Sequence, residues 1–539
     1  MTPAEIENAH FDYIVVGAGS AGCVLANRLS ADPAVRVLLL EAGGRDDWIW
    51  FHVPVGYLFA IGNPRSDWMF KTEPEAGLNG RAINYPRGRV IGGSSAINAM
   101  IYMRGQATDY DHWRQLGLAG WGWDDLLPLF KKQEDHFGGA DAWHGAGGEW
   151  RVEEPRVRWP ILDAVRRAAA EAGIPPVDDF NRGDNFGSSY FQVNQKRGRR
   201  WSAARGFLKP VLHRPNLALL SGVEVDRVVF ENGRAIGVAF RSGGKTLIAH
   251  ADGEVVLAAG SVGTPRILEL SGIGQSARLR SLDIPVVRDL PGVGENLQDH
   301  LQLRLVYKVS NARTLNVDYR SPVKRALMGA DYALRRRGPL TMAPSQLGMF
   351  AKSRPDKATA DLEYHVQPLS LDKFGDPLHG FAAITMSVCN LRPESRGSIH
   401  IEDRAGVPRI RPNYLSRPED RQVAVDAIRL TRRICAAPAL APFAPLEYLP
   451  GADFSSDEAL AKAAANIGTT IFHPVGTAKM GIDSDPAAVV DGSLRVRGVA
   501  GLRIADASVM PRITSGNTNS PTMVIAEKAA AMIRGDQTA

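Results

Sequence analysis

The spacing of apolar and polar positions predicts a β–α–β unit at the start of the chain. Residues 11–16 (FDYIVV) read as a buried strand, Ala21–Leu29 as a helix, and Val35–Leu40 as a second strand. A glycine-rich turn joins the first strand to the helix. The unit spans about 30 residues, the size of one half of a dinucleotide-binding fold.

Later segments predict a return to the same sheet. Residues 217–240 alternate as short strands do, and residues 254–257 form another strand that runs into a glycine turn at Gly260. Near the C-terminus, residues 501–506 predict a short strand ending at Asp506, and Thr522–Ile533 predicts an alanine-rich helix. The domain that begins at the N-terminus is therefore predicted to be discontinuous.

The middle of the chain has a different pattern. Between residues 301 and 450, strand candidates Leu362–Gln367, Ala382–Cys389 and Gly397–Ile401 are separated by prolines and charged turns, which predicts an antiparallel sheet. We therefore predict an α/β fold with a Rossmann-like cofactor domain and an α+β substrate domain built on an antiparallel sheet. The predicted ranges are 10–155, 211–300 and 465–539 for the first domain, and 156–210 and 301–464 for the second.

Composition adds two exclusions. With 539 residues, 44% hydrophobic and 23% charged, the chain is typical of a folded globular protein of several structural units. The formal net charge of +6 comes from 64 basic against 58 acidic residues, a small imbalance that does not predict nucleic-acid binding. The densest basic runs, Lys196–Arg200 and Arg335–Arg337, are interpreted as solvated faces without assigned function.

Cysteine usage and hydropathy exclude further classes. Cys23, Cys389 and Cys435 form no CxxC pair and lie near no histidine at metal-ligand spacing, so neither a disulfide framework nor a structural metal is expected. No stretch of 18 apolar residues occurs, and the N-terminus is polar and acidic. We expect a cytoplasmic protein without a transmembrane segment. Peripheral attraction to the anionic inner face of a membrane stays open.

The turn Gly17-x-Gly19-x-x-Gly22 carries chemical information through its context. A strand precedes it, a helix follows it, and Glu41 ends the next strand 19 residues after Gly22 (41 minus 22). The glycines let the backbone approach a pyrophosphate at the helix N-terminus, where free N–H groups favour negative charge. Glu41 can accept hydrogen bonds from a ribose diol, which favours an adenine dinucleotide lacking a 2′-phosphate.

Four further segments carry a family resemblance. Residues 88–100 (GRVIGGSSAINAM) and 260–274 (GSVGTPRILELSGIG) resemble the two signature sequences of the glucose-methanol-choline oxidoreductases. Residues 291–300 and 473–477 are similar to that family too, and the resemblance runs from about Asp12 to Arg534. It implies that the dinucleotide is FAD.

The resemblance also implies which residues hold FAD. Glu41 would bind the adenosine ribose, Val225 the adenine through its backbone, and Asp506 would lie near the ribityl chain. Ile97 stands where some members attach FAD through a histidine, so we expect non-covalent FAD. The expected cofactor-binding residues are Gly17, Gly19, Ser20, Ala21, Gly22, Glu41, Ala42, Trp68, Val90, Gly93, Ser94, Asn98, Ala99, Met100, Ile101, Val225, Ala259, Gly260, Asp506, Ala507, Thr518 and Asn519.

The expected catalytic residues are His473 and Asn517. By the resemblance, His473 is the base that takes the hydroxyl proton of a primary alcohol while hydride moves to flavin N5, a role that suits an imidazole. Asn517 would donate a hydrogen bond to the developing alkoxide. We expect His300 to serve a supporting role.

Pocket residues bear on the substrate. Gln346, His365 and Phe472 are candidates for the pocket wall, and His365 is expected to support structure more than chemistry. Gln346 is aligned with the glutamate by which choline-oxidising members recognise their cation. Because an amide cannot balance a positive charge, we expect an uncharged aliphatic, aryl or polyether alcohol rather than choline.

Several alternatives remain open at this stage. An FAD-containing hydroxynitrile lyase of the same fold is the main one, although such relatives pair two histidines. A light-driven fatty-acid decarboxylase, a nicotinamide-dependent dehydrogenase and a non-catalytic binding protein rank lower. The exact alcohol, the electron acceptor (dioxygen, a quinone or a carrier protein), further oxidation of the aldehyde and the oligomeric state are not determined by sequence.

Overall fold

A computed structural model describes residues 2–372 and 376–535. Within these ranges, no helix has the length and apolarity that a membrane crossing requires. The α-helices are α1 (Pro3–Ile6), α2 (Ser20–Leu29), α3 (Tyr57–Ala60), α4 (Ala107–Gln115), α5 (Trp123–Gln133), α6 (Pro160–Glu171), α7 (Gly260–Leu270), α8 (Ser276–Ser281), α9 (Leu315–Arg320), α10 (Pro322–Arg335), α11 (Pro418–Cys435), α12 (Asp457–Ile467) and α13 (Asn519–Arg534).

The strands fall into two large sheets and several short ribbons. They are β1 (His10–Val16), β2 (Val37–Glu41), β3 (Glu134–His136), β4 (Trp150–Val152), β5 (Gly187–Tyr190), β6 (Gln195–Lys196), β7 (Arg199–Arg200), β8 (Leu217–Ser221), β9 (Glu224–Glu231), β10 (Arg234–Ser242), β11 (Lys245–Leu257), β12 (Ile273–Gly274), β13 (Arg288–Asp289), β14 (Leu301–Lys308), β15 (Leu347–Ala351), β16 (Leu362–Gln367), β17 (Ala383–Asn390), β18 (Ser398–Ile401), β19 (Pro408–Arg411), β20 (Leu446–Leu449), β21 (Gly468–Thr470) and β22 (Leu502–Ile504).

The first large sheet has the order β8-β2-β1-β11-β10-β9, with β22 paired to β11. β1 pairs in parallel with β2 and β11, and β22 also runs parallel to β11. β2 is buried along its whole length, as expected for a parallel strand covered on both faces. The predicted β–α–β unit is confirmed, and the chain's C-terminal strand and helix return to it: α13 packs on α2.

The second large sheet is antiparallel, with the order β20-β14-β17-β16-β15-β5 and β21 paired to β14. Its two faces differ in chemistry. Leu303, Tyr364 and Met386 belong to an apolar cluster covered by α6, α11 and α12. The alternate positions of β14, β16 and β17 are polar and point to the opposite face. This polar face carries Gln302, Arg304, Glu363, His365, Gln367, Thr385 and Ser387.

Two sequence-based expectations differ in detail from the structure. The segment predicted at Gly397–Ile401 does form a strand, but β18 pairs with β19 in a separate two-stranded ribbon, so it is not part of the large antiparallel sheet. β21 pairs with β14 of that sheet, although residues 465–539 were predicted to belong to the cofactor domain. The α/β class and the antiparallel second sheet are confirmed.

Candidate active site

A cavity of about 810 Å³ extends from the carboxyl ends of the parallel strands to the polar face of the antiparallel sheet. His473 and Asn517 line it. The predicted cofactor residues that also line it are Gly17, Gly19, Ser20, Ala21, Glu41, Ala42, Trp68, Gly93, Ser94, Asn98, Ala99, Met100, Ile101, Val225, Ala259, Gly260, Asp506, Ala507, Thr518 and Asn519. The glycine turn near the N-terminus, residues 88–100 and the C-terminal segment thus all line the same cavity.

Two predicted cofactor residues do not line the cavity, and their packing explains why. A Cβ on Gly22 would lie 1.8 Å from the Gly17 carbonyl oxygen, so Gly22 permits α2 to pack on the turn. Val90 is buried among apolar neighbours. The two glycine clusters also touch: Gly93 has a φ of +52°, and a Cβ there would lie 2.6 Å from Gly19 Cα. This close approach brings the two backbone segments together beside the N-terminus of α2, at the edge of the cavity.

Glu41 is buried at the carboxyl end of β2. Its Oε2 accepts a hydrogen bond from Ala18 N at 2.8 Å, and its Oε1 accepts one from Gly43 N at 2.7 Å. Burial raises the pKa of Glu41 to about 7, against the opposing effect of these two hydrogen bonds. The backbone donors fix the carboxylate at the edge of the cavity, where spare lone pairs can accept from hydroxyl groups.

Asn98 is held by an arginine that the sequence analysis did not select. Arg200 Nη1 donates to Asn98 O at 2.7 Å and to Asn98 Oδ1 at 3.0 Å, and Asn98 Oδ1 also accepts from Met100 N. Arg200 is completely buried, and desolvation lowers its pKa to about 9. Met100 has a φ of +61°. These contacts fix an irregular backbone segment that forms one wall of the cavity.

Asp506 follows β22 and ties three segments together. Its Oδ2 accepts from Gly260 N at 2.9 Å and from Thr264 Oγ1 at 2.7 Å, and its Oδ1 accepts from Ser508 N at 2.8 Å. Burial raises the pKa of this carboxyl. Asp506 therefore positions the first turn of α7 beside the cavity.

The two predicted catalytic side chains contact each other. His473 Nε2 lies 3.0 Å from Asn517 Nδ2, and His473 Nδ1 lies 3.1 Å from His300 Nδ1. His300 Nε2 lies 3.2 Å from Leu391 O. A carbonyl oxygen can only accept, so His300 carries its proton on Nε2 and accepts at Nδ1. His473 then donates from Nδ1, which leaves its Nε2 as a lone pair that accepts from the Asn517 amide.

The backbone around His473 is fixed by Asp299. His473 N donates to Asp299 Oδ1 at 2.8 Å, while Asp299 Oδ2 accepts from Thr470 Oγ1 at 2.6 Å and from Tyr414 O–H at 2.5 Å. Phe472 sits at a φ of +72°, a conformation that bulky residues rarely adopt. Asp299 was not selected from the sequence because it acts through the backbone of a residue 174 positions away.

The electrostatic surroundings keep His473 neutral. Desolvation lowers its pKa well below 6.5, and the nearby His300, His365 and Arg87 lower it further. Arg87 Nη2 donates to Phe472 O at 2.7 Å, which places a positive charge beside the histidine backbone. Burial likewise lowers the pKa of His300. A neutral imidazole with its proton on Nδ1 is the form that can accept a proton at Nε2.

A buried acidic group lies behind the histidines. Glu363 Oε1 is 3.2 Å from His365 Nε2, and Cys389 Sγ is 3.9 Å from Glu363 Oε2. The ligand-type atoms of His300, Glu363 and Cys389 lie within 4.8 Å of one another, a spacing that a metal ion could use. Both ring nitrogens of His300 already lie within hydrogen-bonding distance of His473 and Leu391. We therefore interpret the cluster as a hydrogen-bonding network.

The pocket wall differs in one place from the expectation. Phe472 and His365 line the cavity, and the His365 ring stacks on Phe191 at 5.2 Å. Gln346 is buried and lies outside the lining, whereas its neighbour Ser345 lines the cavity and accepts a hydrogen bond from Gln367 Nε2 at 3.2 Å. Gln302 also lines the cavity. The alternation of polar residues along β14 and β16 is the sequence signal by which Gln302 and Gln367 could have been predicted to line the cavity.

Comparison with family models gives two matches described as GMC oxidoreductase. The N-terminal model matches residues 11–302, and the C-terminal model matches residues 393–526. Together they cover most of the chain, including the glycine turn, the Asp299–His300 pair, His473 and Asn517. The segment between them contains much of the antiparallel sheet.

Similar proteins align over almost their whole length. An alcohol dehydrogenase [acceptor] of Pseudomonas putida is 42% identical over 530 residues, covering 97% of this chain and 95% of that protein. A mitochondrial choline dehydrogenase of Mus musculus is 39% identical over 544 residues, covering 99% and 91%. Among solved structures, pyridoxine 4-oxidase from Mesorbium loti is 32% identical with a TM-score of 0.87, covering 98% and 100%.

Proposed function

The chain belongs to the glucose-methanol-choline family of oxidoreductases and is an FAD-dependent enzyme acting on CH–OH donors, and from this premise we propose that it oxidises a primary alcohol to the aldehyde with His473 as the base. The observation that supports this role is the hydrogen-bond chain from Leu391 O through His300 to His473. It supports a His473 tautomer whose lone pair is on Nε2, where it contacts the Asn517 amide at the cavity surface.

The residues around the cavity fit FAD held without a covalent bond. Backbone N–H groups at the N-terminus of α2 suit a pyrophosphate, and Glu41 suits a ribose diol. Ile97, in the segment where a covalent histidine would stand, offers no nucleophile. Bound FAD would supply the hydride acceptor.

The chain's own residues handle the proton. His473 Nε2 takes the hydroxyl proton as the substrate carbon loses hydride, and Nδ1–H stays hydrogen-bonded to His300. Asn517 Nδ2 is placed to donate to the substrate oxygen as its negative charge develops. Burial excludes water from this pair, which strengthens both interactions.

The wall beside His473 supports an uncharged alcohol as substrate. The groups that the antiparallel sheet presents to the cavity are the neutral Gln302 and Gln367 and the imidazole of His365. Arg304 follows Gln302 on the same face and is buried, with a pKa lowered by desolvation to about 10. Among the residues that the structure describes, the carboxylate that this face carries is Glu363, which lies behind the histidines and does not line the cavity, so a cation such as choline would lack a partner there. We therefore propose an uncharged aliphatic, aryl or polyether alcohol as the substrate.

The experiment is anaerobic mixing of the purified holoenzyme with a panel of primary alcohols, choline included, followed by flavin absorbance and then by admission of air. We expect bleaching with uncharged alcohols and much less with choline. The rate at which colour returns in air separates dioxygen as acceptor from a quinone or a carrier protein.

The base is tested with His473→Ala. It should retain FAD and lose on the order of 10² or more in the rate of flavin reduction. His213→Ala, at an exposed position, is the matched control and should reduce at the normal rate. Near-normal reduction by His473→Ala would contradict the role of the base. The lyase alternative has no observation in its favour, since the similar proteins are dehydrogenases and an oxidase.

A further inference from the structure

Helix α10 presents an apolar stripe to solvent. Val323, Leu327 and Leu334 are 68%, 63% and 84% exposed, and with Ala330 they follow a spacing of four, three and four residues, which places them on one side of the helix. The opposite side carries the buried Met328 and Tyr332, which anchor α10 to the protein. Exposed leucines grouped in this way are characteristic of an interaction surface.

Basic residues surround this stripe. Residues 313–337 contain seven basic residues and two acidic ones. Of the two acids, Asp318 is buried and paired with Arg313 and Lys324 at 2.6 and 2.8 Å. The surface of α10 therefore combines exposed apolar side chains with excess positive charge.

The two basic runs to which no function was assigned from the sequence lie next to each other beside α10. The Arg336 carbonyl accepts from Arg156 Nη1 at 3.4 Å, and a Cβ on Gly198 would lie 2.6 Å from the same oxygen. Lys196–Arg200 and Arg335–Arg337 are thus neighbours in space although about 140 residues separate them in sequence. Their meeting extends the positive charge beyond the C-terminal end of α10.

We propose that the α10 surface, defined as Val323, Leu327, Ala330 and Leu334 with the exposed Lys196, Arg197, Arg199, Arg335 and Arg337 of the two basic runs, binds an anionic phospholipid bilayer. Leucine side chains on an interfacial helix insert at the boundary between headgroups and acyl chains, while lysine and arginine attract anionic headgroups. Pairing with a second copy of the chain through the same stripe would bring two like-charged basic surrounds together. The charge therefore favours the bilayer as the partner.

The position of α10 gives this contact a consequence for the active site. After α10, the chain passes through the turn Pro339–Thr341 and reaches Pro344 and Ser345, which line the cavity. A bilayer bound at α10 would lie next to one wall of that cavity. Apolar alcohols and lipid-soluble electron acceptors concentrate in a bilayer, so binding there would raise their concentration near the site.

The test is sedimentation of the full-length holoenzyme with vesicles of phosphatidylcholine alone or mixed with phosphatidylglycerol. We expect binding only to the mixed vesicles and release at high salt, because salt screens exposed charges. Leu327→Gln/Leu334→Gln should lower the vesicle partition about tenfold or more. Arg335→Gln/Arg337→Gln should lower it about fivefold per charge removed.

Leu446→Gln is the matched control, because Leu446 is 65% exposed on β20 and is not one of the residues that define the α10 surface. It should bind as the unaltered protein does. The proposal is overturned by absence of binding, by equal binding to neutral vesicles, or by undiminished binding of Leu327→Gln/Leu334→Gln. It is also overturned if light scattering shows a dimer that this variant dissociates. FAD content and alcohol-dependent bleaching of each variant report folding and the proposed function separately.

Discussion

At the scale of single residues, the protonation of His473, the proposed base, is defined by what its neighbours can and cannot donate. The Leu391 carbonyl fixes the tautomer of His300, and His300 in turn fixes that of His473. Burial and the positive charge of Arg87 lower the pKa of His473, so a proton on it is unfavourable until the substrate's oxygen carries negative charge. The contacts of His300 with Leu391 and with His473 thus leave the lone pair of His473 on Nε2.

The pH dependence of flavin reduction follows from this environment. Because the pKa of His473 lies below 6.5, the base is neutral at pH 7 and above, and the rate should be independent of pH there. As pH falls through the lowered pKa, the protonated form accumulates and the rate should fall about tenfold per unit. Stopped-flow reduction between acid and neutral pH measures this. A rate that still rises steeply above pH 7 would contradict a depressed pKa.

Glu41 leads to a prediction about cofactor retention. Glu41→Gln keeps the size of the side chain but replaces one of the two oxygens that accept from Ala18 N and Gly43 N by an N–H₂ group, so an acceptor for the ribose diol is lost. Removing one partner of a buried hydrogen bond costs about 1–3 kcal/mol, so FAD affinity should fall about fivefold to a hundredfold. Dialysis followed by measurement of the flavin-to-protein ratio tests this. Glu7→Gln, at an exposed position, should retain FAD fully.

At the scale of elements, α2 and α13 are joined by buried charge. Arg28 Nε donates to both carboxylate oxygens of Glu527 at 2.9 Å, and Glu149 binds the other side of the same guanidinium. Gln133 Nε2 also donates to Glu527 at 2.9 Å. These buried contacts therefore fix the position of α2 relative to α13, which carries the C-terminal end of the site.

Removal of Glu527 should destabilise this helix pair. Glu527→Ala leaves Arg28 buried with one carboxylate partner in place of two, and breaking a buried pair costs about 3 kcal/mol or more. The midpoint of thermal unfolding should fall measurably. Glu402→Ala, which breaks an exposed pair with Arg409, should change the free energy of unfolding by less than about 1 kcal/mol. Equal midpoints for the two variants would contradict a stabilising role for the buried pair.

Elements with a strong repeat were predicted well. β16 matches its predicted range residue for residue, and α2, β17 and α13 differ by a few residues, because alternation and helical spacing are local properties of the sequence. The partner of β18 was not predictable, since hydrogen bonding to β19 depends on where the chain turns. Gln346 was misplaced for a similar reason: an alignment by position does not show which side chain faces the cavity.

At the scale of the whole molecule, the site is completed by contacts between residues far apart in sequence, and Asp299 and Arg200 were not predicted to make them. Asp299, Arg200 and His300 act on residues between 102 and 174 positions away. Family resemblance supplied His473 and Asn517, but the tautomer of the base follows from a carbonyl on another segment. Motifs predict which groups meet, and packing decides how each is oriented.

Because α2 and α13 lie at opposite ends of the sequence, the cofactor cavity is completed late during synthesis. Ser20 Oγ donates to Asn519 Oδ1 at 2.6 Å across 499 residues, and both residues line the cofactor cavity. A ribosome that has translated the glycine turn must add almost five hundred residues before Asn519 emerges. Until then the cavity lacks Asn517, Thr518 and Asn519. The cavity can therefore close around flavin only when the polypeptide is nearly finished.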